Sequence, residues 1–140
     1  MATFKRFEEI ESWKRARKLT NKVYQVSRQG DFARDFTLQV RRACISIMSN
    51  IAEGYDRSGT KEFVQFLSTA KGSAAEVRCQ LYIALDQGYI DKNEFTELVG
   101  ATLETQCLIG GLMNYLRRSG YKGNKYRATD ARDDKSHGNG

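Results

Sequence analysis

Few residues in this sequence have the type and spacing to do chemistry. The one histidine, His137, sits in a Ser-His-Gly-Asn-Gly run close to the C-terminus. The usual general base, the Ser-His-Asp triad and most metal sites call for a positioned imidazole. The inward Glu-x-x-His pairs of a di-iron helical bundle are missing from the sequence. Glu94 and Glu97 lie one helical turn apart, with Glu104 further on. Close to a helix N-terminus they read as a solvated acidic face that the helix dipole favours. Asn50 and Glu53 fall near a helix C-terminus, where a carboxylate opposes the dipole. With Arg57 or Arg42 compensating, the group reads as a polar lock on the next turn. No glycine-rich loop runs into GK[ST]. The expectation is a non-enzyme with no catalytic residue, no cofactor and no metal.

Cys44, Cys79 and Cys107 are odd in number and far apart. That spacing fits neither a zinc knuckle nor a redox CxxC. All three stand among apolar residues, so they read as small buried thiols in a reducing cytoplasm. No apolar run reaches the ~18 residues that span a membrane. The start, MATFKRFEEIESWKR, lacks the apolar stretch of a signal peptide. A cytoplasmic protein without a membrane contact is expected.

Basic residues supply the one hint of a partner. Net charge is +6, concentrated towards the two ends. Residues 1–28 carry eight Lys/Arg against three Glu, and residues 117–140 carry seven against three Asp. The middle is acidic, with eight basic and eleven acidic residues. Lys5, Arg6, Lys14, Arg15, Arg17, Lys18, Lys22, Arg117, Arg118, Lys122 and Lys125 are the candidate contacts to nucleic-acid phosphates. Tyr121 and Tyr126 interleave with the last of them and could stack on unpaired bases.

Four helices must position these groups. The chain has no proline, the strongest helix breaker, and 29% charged residues of both signs. Apolar residues at steps of three and four predict helices over about 10–27, 32–53, 60–87 and 92–118. Trp13, Ala16, Thr20, Val23 and Val26 share one face of the first. Gly30 stops it, and Asp31 is placed to cap the second. The second carries two stripes. Phe36, Val40, Ala43, Ile47 and Ile51 form one; Leu38, Ile45, Met48 and Ala52 form the other. A lone bundle needs one stripe per helix, so the second predicts a subunit interface. Gly54 ends this segment, and Ser58 or Thr60 is placed to cap the third. Gly72-Ser73-Ala74-Ala75 puts small side chains in mid-helix, which predicts close approach of a neighbour. Gly88 ends that helix. Asp91-Lys-Asn-Glu94 is an acidic relative of the capping box. Phe95, Leu98, Thr102, Thr105, Ile109, Leu112 and Leu116 form a near-heptad seam, interrupted at Gly110-Gly111, where a kink or close crossing is expected. Short connections make neighbours antiparallel. The expected organisation is one all-α, up-down-up-down four-helix bundle over 1–119 and a flexible tail over 120–140.

The stretch from Gln39 to Gly54, QVRRACISIMSNIAEG, together with Arg57-Ser58, Glu62-Phe63, Phe66-Leu67 and the run Ala70 to Glu76, resembles the four-helix-bundle proteins encoded by intervening sequences in bacterial 23S ribosomal RNA genes. FEEIESWKRARKLTNKVY is similar to that family's first helix, and Gly88-Tyr89-Ile90 to its third turn. The likeness covers about residues 4–119. It implies a left-handed antiparallel bundle that assembles into a ring-like homopentamer. Related bundles are accessory proteins of diversity-generating retroelements, where a basic pentamer binds nucleic acid and a reverse transcriptase. The family supplies no catalytic residues. The expected partners are thus a second copy of this chain, RNA or DNA, and, on the rival reading, a reverse transcriptase.

Overall fold

The computed structural model describes residues 4–57 and 59–119. They form a 3-10 turn, Phe7–Glu9, and four helices: α1 Glu11–Gln29, α2 Arg34–Asp56, α3 Thr60–Asp86 and α4 Lys92–Ser119. No strand occurs among them. The tail expected to be flexible lies outside the described residues.

Each helix packs on two others in the cyclic order α1, α2, α3, α4. Side-chain contacts fix the directions. Arg41 of α2 reaches Ser27 of α1, whereas Tyr55, about four turns on, reaches back to Phe4 ahead of α1. Ser46 meets Ser73, and Gly54 meets Phe66. Tyr82 packs on Phe95, and Gln106 bonds to Lys71. Between α4 and α1, Arg15 meets Glu104 and Lys22 meets Glu97. In every pair one number rises as the other falls, so all neighbours are antiparallel.

The core follows the predicted stripes. Val40, Ala43, Ile47 and Ile51 of α2, Phe63, Leu67, Ala70, Ala74, Val77, Leu81 and Ala84 of α3, and Leu98, Ile109, Leu112 and Leu116 of α4 are buried. In α1 the buried face is Ala16, Leu19 and Val23, while Trp13 and Val26 are partly covered. The buried threonines of the seam are satisfied locally. Thr20, Thr102 and Thr105 each donate to the carbonyl four residues back at 2.8 Å.

The ends of the helices correct several expectations. Asp31 does not cap α2: Ala33 holds the N-cap position without a side-chain bond. Gly59 holds that position in α3, so Thr60 lies inside the helix, and Ser58 is outside the described residues. Gly54 does not stop α2, which runs on to Asp56. The capping box of α4 is real. Asp91 accepts the Glu94 N–H at 2.8 Å and Glu94 accepts the Asp91 N–H at 2.9 Å. Gly88, at φ +75, is the left-handed residue after α3. Its N–H donates to Leu85 O, and the Tyr89 N–H donates to Ala84 O, a Schellman closure. Tyr89 then stacks on Phe32, ring centroids 4.9 Å apart, pinning the α3–α4 turn to the α1–α2 turn. Helix α4 continues through Gly110-Gly111 without a break in its helical assignment. Gly72 faces open space, so the close approach expected there falls on Ser73 and Ala74 instead.

Candidate nucleic-acid interface

Helix α1 is built from long straight-chain residues that favour the helix and snorkel outward. Between Ser12 and Gln29 it holds six Lys/Arg and no acidic residue. Lys14, Arg17, Lys18 and Arg28 are exposed, and Arg15 and Lys22 are half-exposed. The Arg17 guanidinium lies 5.8 Å from the centre of the Trp13 ring. On the α2 side, Arg41 stacks over Tyr24 at 4.4 Å.

Two of these cations are already engaged. Arg15 pairs with Glu104 and Lys22 with Glu97, both across the α1–α4 seam. Arg15 also bonds to Glu11 at 3.3 Å. The hydrogen bond and charge of Glu104 hold the Arg15 guanidinium above its usual range. The solvated acidic face expected of Glu94, Glu97 and Glu104 is therefore divided. Glu94 closes the capping box, and the other two meet α1. The missed signal was available in the spacing. Residues 15 and 22, like 97 and 104, are seven apart, so antiparallel helices bring them into register. Between them runs a groove of about 460 Å³, lined on the α1 side by Arg15, Lys18, Asn21, Lys22 and Gln25.

The remaining candidates lie towards one end. Lys5 and Arg6 are exposed before the first turn, which the Tyr55 hydroxyl ties down by donating to Phe4 O at 2.6 Å. Because α4 runs against α1, exposed Arg117 and Arg118 reach that same end. Lys122 and Lys125 lie outside the described residues.

The expected polar lock holds for Glu53 and Arg57 but not for Asn50. Arg57 bonds to Glu53 at 3.1 Å and lies over the Phe66 ring at 5.0 Å, linking the α2 terminus to α3. Asn50 instead donates to the carbonyl and hydroxyl of Ser46, whose hydroxyl meets Ser73 Oγ at 2.8 Å. That half-buried polar bridge between α2 and α3 was not anticipated. Arg42 makes no bond with Glu53, whose partner is Arg57 four residues on.

The second apolar stripe of α2 also divides. Leu38 is 52% exposed and Ile45 46%, whereas Met48 packs on the core and Ala52 is half-buried. Met48 is thus part of the bundle's own packing. Tyr82, Ile83 and Leu103, which the sequence reading did not single out, are exposed as well. The cysteines need a correction too. Cys44 is buried, but Cys79 and Cys107 are exposed, because apolar neighbours in sequence do not share a helix face. Burial pushes the Cys44 thiol up to about 12, with the Thr20 hydroxyl acting weakly the other way.

Among the described residues no cluster of three or more His, Cys, Asp or Glu side chains is placed to hold a metal. No helix among them is long and apolar enough to cross a membrane.

The bundle is similar to a solved structure of a protein of unknown function from the S23 ribosomal protein family of Bacteroides thetaiotaomicron. The TM-score is 0.66 at 19% identity, covering 73% of this chain and 97% of that one, a likeness of fold. No curated protein matches this chain significantly. The family model of the 23S rRNA-intervening sequence protein matches residues 8–111, and the chain belongs to that family.

Proposed function

We propose that the chain is a non-catalytic, self-associating scaffold that binds RNA or DNA mainly through phosphates. The observation that carries this reading is α1: six cations over 12–29, all at least partly exposed, with no acid among them. A one-signed helix face attracts polyanions with little regard to sequence.

Self-association rests on the exposed apolar side chains. Leu38 and Ile45 are on α2, and Ile45 is one turn beyond Arg41, which touches α1. Leu103 is on α4, one turn before Gln106, which touches α3, and Tyr82 is on α3 against Phe95. In the cyclic packing order the α1–α2 side is opposite the α3–α4 side. Two unlike patches on opposite sides suit a head-to-tail contact, which closes into a ring when the rotation permits. A homopentamer is the number that the family resemblance implies. Such an assembly leaves the α1–α4 side open and repeats it in every copy, raising avidity without new contacts.

Gel shifts of a structured RNA across a salt series test the reading. Affinity should fall steeply, by ~10³ or more between 50 and 200 mM salt if six or more phosphates are engaged. Lys14→Glu/Lys18→Glu should abolish binding while the circular-dichroism spectrum stays helical. Absence of binding even at low salt overturns it.

A further inference from the structure

The α1–α4 groove has one wall of donors and one of acceptors. Arg15, Lys18, Asn21, Lys22 and Gln25 all carry N–H groups, and Glu97 and Glu104 face them from α4. A carboxylate offers a cation the same charged oxygens as a phosphate does. Apart from Glu11 at the start of α1, which also bonds to Arg15, the counter-charges come from a different helix. Both pairs are open to water: the side chains are 36% and 51% exposed for Arg15 and Glu104, 42% and 58% for Lys22 and Glu97. Exposed pairs are weak and screened by salt, so a multiply charged backbone can displace them. Arg15 and Lys22 stand about 10 Å apart along the helix.

We propose that this groove is the phosphate track of the nucleic-acid site, and that Glu97 and Glu104 are built-in competitors. They occupy Lys22 and Arg15 until a polyanion displaces them. The groove would thereby favour long or structured strands, which contact several cations at once, over isolated phosphates. The proposal rests on the nucleic-acid reading above.

The test compares three full-length proteins by fluorescence anisotropy with a labelled RNA hairpin: the wild type, Glu97→Gln/Glu104→Gln, and Glu62→Gln/Asp86→Asn. The last makes the same charge change at exposed positions on α3. The groove variant should bind about ten-fold tighter than the control variant near 0.1 M salt, with a similar log–log salt slope, because the same phosphates are engaged once the carboxylates are displaced. Adding Arg15→Gln/Lys22→Gln should cost the groove variant more affinity than it costs the wild type. Equal affinity of the groove and control variants, with the wild type binding, overturns the competitor role and leaves the nucleic-acid reading standing. No binding by any of the three overturns both.

Discussion

Gly54 of α2 and Phe66 of α3 approach so closely that a methyl group on Gly54 would lie 2.6 Å from Cβ of Phe66. That Cβ is fixed by the α3 backbone and cannot swing aside. Glycine is therefore placed inside α2 to admit a neighbouring helix, with Phe63 also within 3.1 Å.

Gly54→Ala should therefore destabilise the bundle by about 1–3 kcal/mol, the usual range for overpacking, partly offset by ~1 kcal/mol of helix propensity. Gly72→Ala should have the opposite sign. A Cβ there meets nothing within 4 Å, so stability should rise by roughly 0.5–1 kcal/mol. Urea melts of both variants check the pair.

Asp91→Ala should cost about 1 kcal/mol, because it removes the acceptor for the Glu94 N–H. Asp31→Ala should change stability by less than ~0.5 kcal/mol, since that residue is exposed and caps nothing. Thermal melts read the contrast.

Cys44 sets a pH dependence. Its thiol is pushed up to about 12 in the fold from an ordinary 9.0. Above pH 9 the unfolded chain releases this proton and the folded chain keeps it. The contribution is complete below 9 and is lost as pH rises towards 12, with a slope of up to about 1.4 kcal/mol per pH unit. Cys44→Ala should flatten that part of the urea-midpoint curve. At pH 8 a thiol reagent should label Cys79 and Cys107 in the native protein and reach Cys44 on unfolding.

Leu38→Glu and Ile45→Glu should leave the fold near its normal stability, within ~0.5 kcal/mol for exposed positions, and reduce the mass read by light scattering. Met48→Glu should instead lower stability clearly more than either, because Met48 is partly buried against the core. A wild-type protein that scatters as a monomer would sink the association.

The order of four helices, their apolar faces and the Asp91–Glu94 cap follow from spacing alone, because helical period and capping are local. The basic run of α1 is equally local, since it needs only the absence of an acid from 12 to 29. Tertiary structure decided what those faces meet. Period assigns a residue to a side of its own helix, but not the helix opposite it or the distance between them. So Ser73 and Ala74, not Gly72, face the neighbouring helix, and Gly54 makes a close crossing of its own; Met48 is partly covered while Ile45, three residues earlier, stays out. Glu97 and Glu104, read from α4 alone as solvated acids, became the partners of Lys22 and Arg15 once α4 lay antiparallel to α1. The sequence by itself determined a helical bundle with one cationic face. Only the packing of α4 against α1 decided which of those cations are free and which are already paired.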